Sequence, residues 1–295
     1  LGEFCGRAPV GVSVLDGSPL IGEYPENPMA PEKPLPEFHD PPVSEVAIGI
    51  EFPPLEQWLV PHFGLYWNEI RADYPRCEVH PPIVYQEPFA SNKMMHVLAD
   101  QNYLRCWFLS QTGNDLIQVQ PDRFVRNWRK VKGDETYPRY ASLRPRFEEA
   151  WRGFSDFAEG AGIGAPKPIQ YEVTYVNDIE RGQGWDQFSD LSAVTPLWAG
   201  NLTDRFLSEP GLVSISVVYP IPENIGKLKI DLQHVLRLRD GKEIIQLKFE
   251  VRSKPKQSSS ETDIMEWIDI GRDWIVRAFA DVTTPQMHER WRRRI

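Results

Sequence analysis

Two long alternating runs flank Asp240-Gly241, and no other feature constrains the fold as strongly. Asp-Gly between apolar/polar alternations is the signature of a two-residue type I′ β-hairpin. With Arg239 opposite Lys242, the pattern places Leu228, Ile230, Leu232, His234, Leu236 and Leu238 on one face with Ile245, Leu247, Phe249 and Val251. Lys229, Asp231, Gln233, Arg237, Gln246, Lys248 and Glu250 take the other. An antiparallel sheet with one buried and one wet face follows.

The same period of two recurs at Val46, Ile48, Ile50 and Phe52, and again at Ile169, Tyr171, Val173 and Tyr175. Residues 77 to 85 read as extended. The stretch 104 to 128 reads as a hairpin turning at Thr112-Gly113-Asn114-Asp115. Helical spacing appears in Leu59, Phe63, Tyr66, Trp67 and Ile70. It returns in Leu143, Phe147, Ala150, Trp151, Phe154 and Ala158, with Pro145 near the start and Gly160 at the end. A third amphipathic helix runs from Ile264 to Val282, and Thr284-Pro285 opens a short terminal one as N-cap and first helical residue. Hairpins with segregated helices indicate an α+β fold, antiparallel sheet with long amphipathic helices packed on one face, and not a doubly wound parallel sheet.

Residues 1 to 41 lack an apolar period and include the run Pro28-Met29-Ala30-Pro31-Glu32-Lys33-Pro34-Leu35-Pro36. They read as a tail whose removal costs few contacts, and Met29 could open the native chain, with residues 1 to 28 upstream of it. Behind the tail come an N-terminal α+β half at 42 to 182 and a C-terminal α+β half at 183 to 295, continuous with the first. Residues 180 to 211 form the connection.

The net charge of -9 sits almost wholly in the first 60 residues, where ten acids face two bases and give -8. That argues against a nucleic-acid coat protein but leaves room for a local basic patch. No run of about 18 to 20 apolar residues is present to span a bilayer. Three widely spaced cysteines, Cys5, Cys77 and Cys106, do not make a secreted disulfide framework, so a cytoplasmic location is expected.

Segments of the chain resemble a sporadically distributed bacterial protein family of unknown function, over about residues 41 to 290. The resemblance rests on Pro41-Pro42-Val43-Ser44-Glu45, on Tyr137-Pro138 through Leu143-Arg144-Pro145-Arg146-Phe147, and on Tyr175-Val176-Asn177-Asp178-Ile179. Family members usually carry a basic residue just before that last aromatic, where this chain has Thr174. The resemblance implies a coherent fold and brings no catalytic residue or cofactor with it.

Phosphate-cradling glycine motifs are missing, and Gly160-Ala161-Gly162-Ile163-Gly164 follows a helix, the order of a helix stop. Cys77 and His80 would point to opposite faces of a strand, so no metal site is expected. Cys106, inside a hairpin strand, is read as a structural thiol. His234, on an apolar face, is read first as a hydrogen-bonded core histidine and second as a ligand-binding group. Asn177 is read as a strand-ending turn or a pocket-lining hydrogen-bonder. The run Arg123, Arg126, Trp128, Arg129, Lys130, Lys132, Arg139, Tyr140, Arg144 and Arg146 mixes cations and rings. It is read first as a solvated, salt-bridged face; then as a partner surface anchored by Trp128 and Tyr140; and last as an anion or nucleotide site using Arg126, Arg129 and Arg144. These readings favour a non-enzymatic binding or regulatory protein that acts through a protein partner or self-association, with no cofactor. An enzyme or sensor for a small anionic ligand or nucleotide is the alternative.

Overall fold

The computed structural model describes residues 34–83, 104–199, 206–253 and 261–295. The tail before residue 34, with Met29 and Cys5, lies outside the described residues, as do residues 84 and 85 of the stretch read as extended.

Alternating apolar residues generate nine strands, β1 (Val43–Glu51), β2 (Arg76–His80), β3 (Arg105–Leu109), β4 (Asp115–Gln120), β5 (Arg123–Arg129), β6 (Gln170–Glu180), β7 (Ser214–Ile221), β8 (Gly226–Leu236) and β9 (Glu243–Ser253). They form one antiparallel sheet in the order β2-β3-β4-β5-β1-β6-β9-β8-β7. The helices are α1 (Val60–Ile70), α2 (Tyr140–Gly160), α3 (Leu191–Val194), α4 (Glu261–Asp281) and α5 (Pro285–Arg290). An α+β fold built on an antiparallel sheet is therefore what the chain adopts. Leu35–Ile295 make one compact unit, and the sheet runs through both halves of the chain. Among the described residues no helix is long and apolar enough to cross a membrane.

Aromatic rings fill the interior. From α2, Phe154 packs 5.0 Å from Phe124 of β5, 5.8 Å from Phe52 and 5.5 Å from Tyr66 of α1. From α4, Trp267 stacks on Tyr171 of β6 at 5.2 Å, and Phe279 meets Phe249 of β9 at 5.9 Å. Burying each such side chain stabilises the fold by about 1.5–3 kcal/mol. Thr284 caps α5, its hydroxyl accepting from the Met287 N–H.

The β8–β9 hairpin departs from the two-residue turn. Arg237 N–H donates to Lys242 O at 2.8 Å, so Leu238, Arg239, Asp240 and Gly241 form a longer loop. Of Asp240 and Gly241, only Gly241 has positive φ, +69°, whereas a type I′ turn requires it at both central residues. The register moves by two residues, and His234 faces Ile245 rather than Leu247. An even shift leaves every side chain on its own face. Leu236 and Leu238, however, lie beyond the sheet's cover and are exposed. The stretch read as one hairpin from 104 to 128 is three strands, and the connection read over 180 to 211 is followed by β7, which exposes Ser214, Ser216, Val218 and Pro220 on one face.

The folded body begins before residue 41. Phe38 is only 5% exposed and packs on Phe279, His288 and Trp291. Its backbone bridges to Arg293, while His39 N–H donates to Arg292 O and Arg294 N–H to Glu37 O. Leu35–Asp40 is thus a strap laced to the last residues described. Phe38→Ala should cost about 3–5 kcal/mol in urea denaturation, the loss typical of a buried phenylalanine. A cost near zero would mean that the strap is not part of the core.

Candidate functional site

The strap roofs a cavity of about 400 Å³. Its floor is the end of β6, where alternation points Tyr175 and Asn177 to the same side as Val43 of the paired β1. One wall is a helical stripe on α4, Arg272, Ile275, Val276 and Phe279, at spacings of three, one and three. The other is the entry to α2, Tyr137, Arg139 and Tyr140.

Most polar groups here already have partners. Tyr137 OH donates to Tyr175 OH at 3.3 Å, and burial raises the pKa of both phenols, so both stay protonated. Asn177 Nδ2 donates to Leu247 O at 3.1 Å, joining β6 to β9. Arg139, at φ +70°, adopts the left-handed backbone that non-glycine residues avoid, and its guanidinium donates to the strap carbonyls of Phe38 (2.9 Å) and His39 (2.6 Å). Tyr140 OH donates to Asp269 Oδ1 at 2.5 Å, and burial followed by this bond raises the phenol pKa. Arg272 differs. It stands 5.2 Å over the Tyr140 ring and donates from Nη1 to Asp273, while its Nε is buried with no hydrogen-bond partner. A buried donor left unmade costs about 1–3 kcal/mol.

The residues singled out from the sequence are dispersed. Asn177 and Tyr140 line the cavity. Trp128, read as a partner anchor, is 5% exposed and sits behind Tyr137 at 5.6 Å, so its ring is enclosed. The arginines do not converge, because successive strand residues alternate faces. Arg126 donates to Asp115 at 2.7 Å in a separate pocket with Tyr66 and Tyr74. Arg129, on the opposite face, lies 5.1 Å over Trp107 and donates to Gly113 O. Arg144 pins α2 to α4 through Asp269, at 2.9 and 3.1 Å. His234 stands edge-on to Phe188 (5.0 Å) and Trp185 (5.9 Å), away from the cavity. Sequence reasoning missed Arg272, although a cation four residues after Ile268 and three before Ile275 interrupts the apolar stripe of its helix.

The other sheet face is not uniformly wet, as the hairpin pattern had suggested. Across β5, β1, β6 and β9, Arg123 pairs with Glu51 and donates to Glu172 at 3.1 Å; Arg252 lies 3.3 Å from Glu172 and pairs with Glu250. Glu51, Arg123, Glu250 and Arg252 are all buried. Burial raises the Glu51 pKa to about 7, with Glu172 and Asp122 reinforcing the rise and Arg123 and Arg252 opposing it. For Glu250, Arg252 and Lys248 outweigh burial and hold the pKa below its usual value.

The chain has no match among protein-family models, curated proteins or solved structures.

The buried carboxyl gives a pH test. Folded Glu51 keeps its proton up to about pH 7, whereas the unfolded side chain releases it near 4.5. Its contribution to stability is therefore complete below the unfolded value and lost as pH rises through 7, up to about 3 kcal/mol. Urea denaturation at pH 5 and pH 8 should show Glu51→Gln gaining on the parent at the higher pH. An equal difference at both pH values would contradict the raised pKa.

Proposed function

We propose that the protein is a non-enzymatic binding protein whose strap-covered cavity takes a small ligand with one anionic group and an aromatic or branched apolar body. Arg272 carries this reading: it places a cationic side chain in the cavity wall beside Tyr137, Tyr140, Tyr175 and Phe279. Guanidinium binds carboxylate through directed N–H donors, and the apolar lining provides the remaining contact. Among the described residues the cavity lining contains no serine, cysteine or histidine, which favours binding over nucleophilic chemistry. In this reading α2 and α4 form a helical layer over one sheet face, held together at Arg144 and Tyr140 by Asp269, and the ligand sits where both helices meet β6.

Occupancy would be passed on to a protein partner in the cytoplasm, which makes the protein a regulator. The specific support for a partner is the hairpin tip, where Leu238 is 102% and Leu236 63% exposed. Neighbouring apolar side chains held in water favour association.

The reading is tested by thermal denaturation with a panel of aromatic and branched-chain carboxylates, each beside its neutral amide. A matching carboxylate at a hundred times its Kd should stabilise the protein by about 2.7 kcal/mol, its amide much less. Arg272→Met should remove the preference while leaving the unliganded protein folded. Equal effects of acid and amide, or an unchanged preference in the variant, would refute the assignment.

A further inference from the structure

Cys77 and Cys106 lie on the paired strands β2 and β3, with Cys77 opposite Phe108 and Cys106 opposite Val79. Residues directly opposite share a face, and so do residues two apart on one strand. The two cysteines are therefore diagonal neighbours on one side of the sheet. Both are free thiols; Cys77 is exposed and Cys106 buried.

We propose that Cys77 and Cys106 form a reversible cross-strand disulfide, with exposed Cys77 as the attacking thiol and buried Cys106 as the resolving one. Their surroundings divide their reactivity. The neighbouring Cys106 thiol lowers the Cys77 pKa to about 7 against the effect of burial, while Cys77 and burial together raise that of Cys106. Near neutral pH a large fraction of Cys77 is thiolate, the reactive form, and Cys106 keeps its proton.

The oxidant is a small disulfide of the glutathione class. The Cys77 thiolate attacks one sulfur, forming a mixed disulfide as the small-molecule S–S bond breaks and one thiolate leaves. Cys106 then attacks the Cys77 sulfur; its proton passes to the second departing thiolate, and the protein bridge forms. The protein loses two electrons and two protons in all, and one small disulfide becomes two thiols. Diagonal Cα atoms on antiparallel strands lie about 7–8 Å apart, beyond the usual span of a bridge, so β2 must shift inward to close it. As the outermost strand on its side of the described sheet, β2 is paired in it with β3 alone, so such a shift disturbs one strand ladder. Oxidation would pin that edge, and reduction would release it.

The test is incubation of the full chain with excess oxidised glutathione, alkylation of the remaining thiols and peptide mapping by mass spectrometry, repeated in a Cys5→Ser background. The expected product in both is a Cys77–Cys106 bridged peptide that dithiothreitol reverses. Cys106→Ser should instead accumulate a glutathione adduct on Cys77, and Cys77→Ser should leave Cys106 reduced. A glutathione adduct that persists on Cys77 of the parent, a bridge from Cys77 to Cys5, or two thiols that stay reduced would each overturn the proposal. The parent's map decides even if a variant folds poorly.

Discussion

The structure depends on β6. The order β2-β3-β4-β5-β1-β6-β9-β8-β7 makes it the strand through which the first half of the sheet hydrogen-bonds to the second, to β1 on one side and β9 on the other. Its alternation also serves two environments. Tyr171, Val173, Tyr175 and Asn177 face the aromatic interior and the cavity, while Glu172 faces the ion network of Glu51, Arg123 and Arg252. A slip by one residue would put the carboxylate among rings and the rings among charges, so both faces hold the same register.

What could be read from the sequence is what period and parity determine. Strand faces survived even where the turn did not, because a two-residue shift at Asp240-Gly241 preserves parity while changing His234's partner from Leu247 to Ile245. The capped start of α5 was legible because Thr284-Pro285 acts locally. Features made by distant segments were not. Burial of Glu51 and Arg252 needs four strands drawn from opposite ends of the chain, and neighbouring residues carry no trace of that convergence. For the same reason Phe38, in a proline-rich stretch without periodicity, gave no sign of its contacts with Phe279 and Trp291.

The arginine-rich stretch illustrates the limit of counting charges along a sequence. Arg126 and Arg129 are three residues apart on β5 and therefore point to opposite faces, while Arg144 is used between helices. Arg272 was easy to overlook because it lies outside the arginine-rich stretch, between Gly271 and Asp273 on an amphipathic helix. Yet its position, in the apolar stripe of α4 and against Tyr140, puts a second cation beside Arg139 in the cavity wall.

The roof of that cavity also bears on the order in which the molecule assembles. His39 and Arg292 touch although they stand 253 positions apart in the chain. A contact of that separation bears nearly the largest loop-closure entropy the molecule can have, so it forms after the sheet that shortens the effective loop. A segment that closes last can open as a unit, in a fluctuation that leaves the strands paired. Ligand entry through the roof would then follow the same motion as the final step of folding.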